Sequence, residues 1–426
     1  MTEKRNGAVS ETPTANIAQV KETMRILKSE NLFEQISSDI GDIGIAGEEQ
    51  LRLMLYVIMT SRLLDKPLSG IIQGASSSGK SYTLETVAKL MPSDQVVQAH
   101  DFTEQALYYL PHGSLRHKVV IAGERLHKRH GKSGQASDNS KAFREMVGSG
   151  VLRKAVTVKG SEGKFVTQQI EQPGPIAYLE STTATKINDE DATRLLPLVT
   201  DESAEQTALV IETMRSEAKG NKVNKTERQE IIERHHAMQR LLKPLEVRIP
   251  FIDKLSLPTT SIATRRTFGQ LRSMIQAVAL LRQFQKEIKH HDATDAEFIE
   301  ADADDYEVVH DLMKPILERV YSQLDQKSLD MLGILLDKTA VRDGDVIKEY
   351  QSFTNPDCQK WTGLSESTVR RRLTALKFAG IVYAAQFGNP RQWRIIQADS
   401  VSSVDVGLPK PEEICLLVGD ELTNTS

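Results

Sequence analysis

A glycine- and serine-rich stretch, Gly74–Ser81, has the sequence GASSSGKS and so the spacing G-x-x-x-x-G-K-S. Backbone N–H groups of such a loop can surround an anionic phosphate, because no bulky side chain blocks the approach. The helix that follows adds its positive end, the lysine reaches the β- and γ-phosphate oxygens, and the serine hydroxyl binds Mg²⁺. The motif therefore predicts a site for ATP, with Ser81 as the metal ligand. The residues predicted to bind the nucleotide are Gly74, Ala75, Ser76, Ser77, Ser78, Gly79, Lys80, Ser81 and Tyr82.

The segments beside this loop are those that the motif requires. Apolar residues at Leu68, Ile71 and Ile72 predict a strand before it, and Lys80–Leu90 predicts a helix after it. A strand, a loop and a helix in that order make a chance match a poor explanation.

A second apolar strand, Val119–Ala122, is followed by Gly123 and Glu124, which makes Glu124 the predicted catalytic base. Enzymes with this loop usually place a Mg²⁺-binding aspartate where this chain has Gly123. Mg²⁺ would then rest on Ser81, the phosphates and water, or on another acid such as Asp101. The alternative is that Glu124 only ends a buried strand, although the carboxyl edge of such a sheet faces the ligand crevice.

The composition limits the class of protein. With 426 residues, 39% of them hydrophobic, the chain has room for roughly two or three domains. Its two cysteines, Cys358 and Cys415, are too few for a zinc site or a disulfide framework. No run approaches the roughly 18 apolar residues of a membrane span, and the N-terminal stretch has no apolar signal core, so we expect a cytoplasmic protein. A net charge of −4 means that nucleic acid would have to bind local basic patches.

The hydrophobic pattern also predicts how the chain is organised. Strands at Gln95–Ala99, His117–Ala122 and Pro175–Leu179 alternate with helical stretches, which predicts a parallel sheet flanked by helices. Long helical stretches follow after Thr200, one of them Thr264–His290. The predicted segments are a polar tail with an N-terminal helix (1–45), an α/β core (46–200), a helical subdomain (201–323), a helix-turn-helix segment (324–398) and a flexible tail (399–426).

A β-hairpin is predicted at 152–170, inside the α/β core. β-Branched residues form both arms, and Gly160 and Gly163 form a tip that presents Lys159 and Lys164. Basic residues outnumber acidic ones by four to one over Leu152–Gln169, in a chain that is acidic as a whole. A solvated surface hairpin is the plain alternative.

Two further segments resemble a known family. The stretch Pro175–Leu179 with the residues STT after it, and the later stretch DATRLL, resemble the sensor-1 strand and arginine-finger segment of AAA+ ATPases. The sequence ATRRTFGQLR is similar to their sensor-2 helix. The similarity is greatest to the minichromosome-maintenance-type and superfamily 3 helicase branch, which carries a hairpin before sensor 1, and it covers about Ala46 to Tyr321.

This resemblance implies catalytic roles for several residues. Thr182 or Thr183 would orient the attacking water, and Arg266, in preference to Arg265, would contact the γ-phosphate. Arg194 would act on the nucleotide of a neighbouring subunit, where an arginine finger contributes about 10³-fold or more. An active site shared in this way implies a homo-oligomer, a hexameric ring. The alternative for Arg194 is a surface arginine that packs its stem on its neighbours.

In that family the hairpin lines a pore. The resemblance thus implies that Lys159 and Lys164 bind DNA inside the ring, and that the helical segment after residue 200 is a lid on the ATPase core.

The C-terminal part predicts a winged helix. A helix at Phe353–Trp361, a turn at Gly363 and a second helix capped by Ser365 form a helix-turn-helix, with a two-stranded wing after it. Val369, Leu373 and Leu376 fall on one face and should be core. Basic side chains that remain for a DNA groove are Arg371, Arg372 and, on the wing, Arg391. Protein contacts are the alternative use of such a domain.

Two other groups of polar residues carry weaker signals. The pairs His235–His236 and His290–His291 are predicted on solvated helix surfaces, because no ligand lies at metal spacing. The acidic stretch Asp292–Asp311 keeps a helical period in its apolar residues and is predicted to be a solvated helix face.

The sequence, together with its resemblance to AAA+ ATPases, therefore implies an α/β P-loop AAA+ core with an α-helical lid and a C-terminal winged helix. The predicted function is an ATP-dependent, DNA-binding ring motor of the replication helicase or initiator type, from a phage, plasmid or other mobile element. The alternative is a DNA-binding regulatory ATPase, or a loader, in which ATP switches assembly without unwinding.

Overall fold

A computed structural model describes residues 17–99, 106–124, 139–159, 164–184, 194–220, 224–258, 264–322, 326–343, 346–378, 381–384, 392–395 and 406–416. The chain forms two compact units, Met1–Pro250 with Arg265–Tyr306, and Phe251–Thr264 with Glu307–Ser426. None of the described helices is long and apolar enough to cross a membrane.

Both units contain helices and strands. The α-helices are α1 Ile17–Leu27, α2 Leu32–Asp42, α3 Glu49–Thr60, α4 Lys80–Ala88, α5 Asn139–Ser149, α6 Ala204–Ala218, α7 Lys225–Leu241, α8 Thr264–Leu281, α9 Ala303–Ser322, α10 Gln326–Thr339, α11 Asn355–Thr362 and α12 Glu366–Phe378. The strands of the first unit are β1 Ser69–Gln73, β2 Val96–Ala99, β3 Lys118–Glu124, β4 Val151–Lys159, β5 Phe165–Pro173, β6 Ile176–Thr182, β7 Leu196–Val199, β8 Glu246–Arg248, β9 Lys289–His290 and β10 Glu297–Glu300. The strands of the second unit are β11 Ala340–Asp343, β12 Val346–Tyr350, β13 Phe353–Thr354, β14 Val382–Ala384 and β15 Gln392–Ile395.

A five-stranded parallel sheet in the order β2-β3-β6-β1-β7 forms the centre of the first unit. Its inner strands have apolar residues at their centres, as expected when both faces of a parallel sheet are covered, and every residue of β6 is buried. Helices α3 and α5 pack against β6. The predicted parallel sheet is confirmed, and its strands β2, β3 and β6 lie where the apolar runs placed them.

The carboxyl ends of three central strands meet at one edge of this sheet. Gln73 at the end of β1 pairs with Thr182 at the end of β6. Glu124 at the end of β3 pairs with Ser181 on the other side of β6. The strand order thus brings the phosphate-binding loop beside the predicted base and sensor residues, which lie far apart in sequence.

A buried polar network joins α2, α3 and α7. The side chain of His235 is fully buried, with Nε2 2.9 Å from Asp39 and Nδ1 2.9 Å from the Tyr56 hydroxyl. Arg234 adds an ion pair to the same carboxylate at 2.7 Å. The prediction of a solvated surface was therefore wrong for His235, because its two ring nitrogens both have partners inside the protein.

The segment that follows α8 also differs from the prediction. The helix predicted over Thr264–His290 ends at Leu281, and the chain continues into β9 and β10. The acidic stretch Asp292–Asp311 is accordingly not one solvated helix face. Asp305 is fully buried, where it contacts Arg282 at 2.7 Å and Lys286 at 2.6 Å. Burial raises the pKa of Asp305 to about 6.

The second unit has a core formed by three helices and a small sheet. Helices α10, α11 and α12 pack on one another, and the strands lie in the order β13-β15-β14. Thr354 and Asp357 form a reciprocal cap at the start of α11, and Gly363 ends it in the left-handed conformation at φ +67°. Val369 and Leu373 are buried in the core of this unit, as their spacing predicted.

Candidate nucleotide-binding site

The loop between β1 and α4 has the backbone shape of a phosphate-binding loop. Ser77 and Gly79 take left-handed conformations, with φ of +69° and +87°. Glycine adopts this conformation without a steric cost, whereas a serine there is held by its surroundings. Open space surrounds the position that a side chain would occupy at Gly79. These two turns bend the loop back over the first turn of α4.

Several backbone N–H groups of the loop make no hydrogen bond to any described residue. They include the first donors of α4, which no helix can satisfy internally. An anion at a helix N-terminus gains both these donors and the helix dipole. The residues that offer them are Ser76, Ser77, Gly79, Lys80 and Ser81.

The side chain of Lys80 lies over the start of the loop. Its ammonium donates to the carbonyls of Gly74 at 3.0 Å and Ala75 at 2.5 Å, and the residue is only 5% exposed. Ser81 is exposed at the first turn of the helix, as a metal ligand requires. Tyr82 is 53% exposed, and its hydroxyl donates to the Gly44 carbonyl at 2.9 Å. The cation and the hydroxyl thus lie on the same loop as the unbonded N–H groups.

A short segment after β7, residues 200–203, crosses the loop, and we call it the strap. The amide of Thr200 donates to Gln73 at 3.3 Å, and its hydroxyl donates to Ser78 at 2.9 Å. The Glu202 carboxylate accepts a hydrogen bond from the Ala75 amide at 2.5 Å. The strap therefore holds the start of the loop and Ser78, and it leaves unbonded the N–H groups named above.

Sequence reasoning missed this strap. The available signal was a run of polar residues, Thr200–Ser203, directly after a strand whose carboxyl end had to lie beside β1. Side chains at that edge of a parallel sheet face the ligand crevice.

The strap is in turn held by Glu48, the residue before α3. Glu48 Oε1 accepts from the Asp201 amide at 3.0 Å. The pKa of Glu48 is raised to about 7, chiefly by burial. The hydrogen bond from the Asp201 amide lowers the pKa, and the nearby Asp201 charge raises it. Glu48 therefore changes its charge near neutral pH, beside the segment that contacts the loop.

The predicted catalytic residues of β3 and β6 lie at the edge beside the loop. Glu124 ends β3, but its side chain lies outside the described residues. Thr182 is buried, and its hydroxyl accepts from the Ala184 amide at 3.1 Å. Thr183 is exposed, and Gln73 Nε2 donates to the Ala184 carbonyl at 3.1 Å. The hydrogen bond from the Gln73 side chain to the Ala184 carbonyl thus joins the end of β1 to the segment after β6.

The two predicted arginines occupy different surroundings. Arg194 is half-buried, and its guanidinium donates to the Arg144 carbonyl on α5 at 2.6 Å. Arg266 is exposed in the first turn of α8, beside Arg265. Two cations in the first turn are unfavourable for a helix, because its N-terminal end is already positive. No acidic residue in that turn offsets them. The location of Arg266 is therefore not explained by helix stability.

Mg²⁺ would depend on the nucleotide at this site. Within the described ranges, no group of three or more His, Cys, Asp or Glu side chains could hold a metal ion alone. The exposed hydroxyl of Ser81, together with phosphate oxygens and water, fits the few protein ligands that Mg²⁺ takes beside a bound nucleotide.

The residues predicted to bind DNA lie outside this site. Lys159 and Lys164 are exposed at the outer end of the β4–β5 hairpin. Arg371 is exposed on α12 in the second unit, and Arg391 lies outside the described residues. Arg372 is only 9% exposed and donates to the Lys327 carbonyl at 2.8 Å, so it is not presented to a DNA groove. It lies three residues after the core residue Val369, and this spacing already places it on the inner face.

The parallel sheet and the loop between β1 and α4 define a P-loop NTPase fold, which is a nucleotide-binding class of protein. Residues 18–133 match the family model described as the MTBMA_p00010 P-loop domain. The matched stretch runs from the N-terminal helices through the phosphate-binding loop to β3. No curated protein matches the chain.

Proposed function

We propose that this protein is an ATP-dependent, DNA-binding ring motor of the replication helicase or initiator type. The observation that carries this proposal is that one compact unit contains both a P-loop with unbonded N–H groups and a projecting hairpin with lysines at its outer end. The first element binds the phosphates of a nucleotide. The second offers positive charge to a nucleic-acid backbone.

In the proposed reaction, ATP binds with Mg²⁺ at Ser81, and Lys80 contacts the β- and γ-phosphates. Glu124 accepts a proton from water as it attacks, and Thr182 or Thr183 orients that water. The register of the sheet supports these roles, because Thr182 pairs with Gln73 at the start of the loop and Glu124 pairs with Ser181. Arg266 contacts the γ-phosphate from α8, in the lid segment 201–323.

Arg194 has the proposed role of an arginine finger in a neighbouring subunit. Its guanidinium faces α5 of its own chain, so this role requires it to leave the Arg144 carbonyl. The active site is then completed only by a second copy, which makes hydrolysis depend on a homo-oligomer, proposed to be a hexameric ring.

The second unit is proposed to be a winged helix that binds DNA. Its two helices α11 and α12 are joined by the left-handed Gly363, and α12 exposes Arg370, Arg371 and Lys377. These exposed basic side chains also favour a second candidate, a regulatory ATPase in which this unit recognises duplex DNA and ATP only switches assembly.

One experiment separates the two candidates. ATP turnover should rise on addition of single-stranded DNA, and this stimulation should disappear in the variant with Lys159→Ala and Lys164→Ala while basal turnover remains. A regulator would instead keep its response in that variant and lose it with Arg370→Ala and Arg371→Ala. Mass photometry with and without ATP tests the ring, and no assembly in either state would exclude it.

The role of Arg194 has its own test. Subunits with Arg194→Ala and subunits with Glu124→Gln should each be inactive, but a mixture should recover part of the turnover, because some interfaces then contain both intact groups. A mixture as inactive as its components would argue against action between subunits.

A further inference from the structure

The outer end of the β4–β5 hairpin exposes an aromatic side chain. Phe165 is 76% exposed, and its neighbours Val166 and Val158 are 51% and 36% exposed. Phe165 pairs across the hairpin with Lys159 and follows Lys164 in the chain. The exposed ring of Phe165 thus shares one face of the hairpin with Lys159, and Val158 pairs with Val166 on the other face.

The inner end of the same hairpin is firmly held. Leu152 is fully buried in the core that covers the sheet. Gln172 is 1% exposed, donates to the carbonyls of Leu110 and Pro111 at 3.0 and 2.9 Å, and accepts from the Gly113 amide at 2.7 Å. Stability of the fold therefore explains the inner residues, but it does not explain a phenylalanine at the outer end.

The basic residues divide in the same way. Of the inner two, Arg153 pairs with Glu171 at 2.9 Å, and Lys154 lies 5.2 Å from the centre of the Tyr108 ring. The outer two, Lys159 and Lys164, are the ones that flank Phe165, and both are exposed. Lys159 and Lys164 thus place two exposed basic side chains next to the exposed ring.

We propose that Phe165 is a stacking platform for a base of single-stranded nucleic acid, with Lys159 and Lys164 on the adjoining phosphates. A planar apolar ring next to cations matches the alternation of bases and phosphates along a single strand. A duplex hides its base faces, so the platform selects the single strand. The inference rests on the proposed function, because it assumes that this hairpin contacts DNA, and it names the form of DNA that is bound.

The test measures binding of a fluorescein-labelled oligo(dT) by fluorescence anisotropy. Phe165→Leu keeps an apolar side chain but removes the ring, and it should weaken binding about 5- to 150-fold, the range for loss of one stacked base. The slope of affinity against salt should stay unchanged, since no charge is removed, whereas Lys159→Ala should reduce that slope. Tyr109→Ala, which removes an equally conspicuous aromatic residue of 61% exposure, is the matched control and should bind as the wild type does.

A spectroscopic measurement reports stacking directly. Phe165→Trp should retain affinity, and its added fluorescence should be quenched by oligo(dT) but not by an abasic strand of the same length. Wild-type affinity in Phe165→Leu together with an unquenched tryptophan would overturn the stacking platform, while the DNA motor would stand if the lysine variant still lost affinity.

Two further outcomes would also overturn this proposal. If neither the lysine nor the phenylalanine variants alter DNA binding, the hairpin does not contact DNA, and the proposed function fails with it. If Phe165→Ala abolishes binding to anionic vesicles, or changes the oligomer distribution, while leaving oligo(dT) binding intact, then the exposed ring is part of a lipid-binding or self-association surface instead.

Discussion

The carboxylate of Glu202 accepts a hydrogen bond from the backbone amide of Ala75, the second residue of the phosphate-binding loop. With the contacts of Thr200, this bond fixes the start of the loop and Ser78. A loop that is held in one shape loses less conformational entropy when phosphate binds. The strap is therefore a positioning element for the loop.

Variants of Glu202 test whether its carboxylate positions the loop for phosphate or competes with phosphate for the loop. Glu202→Ala removes the acceptor and should weaken nucleotide binding by several-fold up to about tenfold, because the exposed bond contributes on the order of 1 kcal/mol. Glu202→Gln keeps an oxygen acceptor without the charge and should bind at least as well as the wild type. The measurement is titration calorimetry with ADP and ATP, with Glu205→Ala on the exposed side of α6 as the control. Tighter binding in both Glu202 variants would mean that the carboxylate competes with phosphate.

The buried pair of His235 and Asp39 should make stability depend on pH. Burial lowers the pKa of His235, against the raising effect of its bond to Asp39. Burial raises the pKa of Asp39, but the hydrogen bonds that its carboxylate accepts from His235 and Arg234 lower it more. The pKa of Asp39 is therefore below its ordinary value. Both groups bind fewer protons in the folded chain than in the unfolded chain, so their contribution to stability falls as pH drops below about 6.5.

The variant His235→Gln tests this effect, because glutamine keeps hydrogen-bonding groups but does not titrate. Its stability deficit relative to the wild type, measured by urea unfolding, should be larger at pH 7.5 than at pH 5.5. His236→Gln changes the half-buried neighbour and is the control. A deficit that is constant over this range would show that His235 does not titrate differently on folding.

Glu48 should give stability the opposite dependence on pH. Its pKa of about 7 in the folded chain lies above the ordinary value of 4.5, chiefly because of burial. The stability contributed by its protonated form is fully present below pH 4.5 and is lost as pH rises through about 7. Glu48→Gln should therefore gain stability relative to the wild type between pH 5 and pH 8 in thermal unfolding. The exposed Glu49→Gln is the control, and an equal pH response of the two variants would contradict the assignment.

Gly47 should resist substitution for two distinct reasons. Its φ is +59°, and a Cβ atom there would overlap the side-chain oxygen of Gln206, whose Nε2 donates to the Ala46 carbonyl at 2.7 Å. Gly47→Ala should cost about 2–3 kcal/mol of unfolding free energy, from left-handed strain and the displaced amide. Gly363→Ala has comparable left-handed strain at φ +67° but nothing within 4 Å, so it should cost less. Equal costs would mean that the Gln206 contact does not matter.

The parts that could be predicted from sequence depend on residues close together in the chain. The phosphate-binding loop is contained in consecutive residues, and strands β1, β2, β3 and β6 are short apolar runs, so the loop and these four strands were predicted correctly. Strand β7 was not predicted. The contacts that were missed join distant residues. Glu202 lies 127 positions from Ala75, and His235 lies 196 positions from Asp39. A polar side chain has the same sequence signature whether it faces water or a partner, and only the tertiary fold supplies that partner.

Helix ends were the other source of error. The predicted helix over Thr264–His290 contains no proline or glycine near its true end at Leu281. The chain leaves the helix there because β9 pairs with β10, and Arg282 pairs with the acidic residues at the start of α9. These are contacts with residues about 20 positions later, as with Arg282 and Asp302, and local propensity does not report them.

The central claim is that the loop Gly74–Ser81 binds ATP and that single-stranded DNA increases the rate of ATP hydrolysis. The most direct measurement is the steady-state rate of phosphate release with Mg²⁺ and ATP, with and without single-stranded DNA, in the wild type, Lys80→Ala and Glu124→Gln. We predict turnover in the wild type that rises with DNA, loss of nucleotide binding in Lys80→Ala, and bound but unhydrolysed ATP in Glu124→Gln. An unchanged rate of ATP turnover in Lys80→Ala would contradict the claim. So would a wild-type rate that is the same with and without single-stranded DNA.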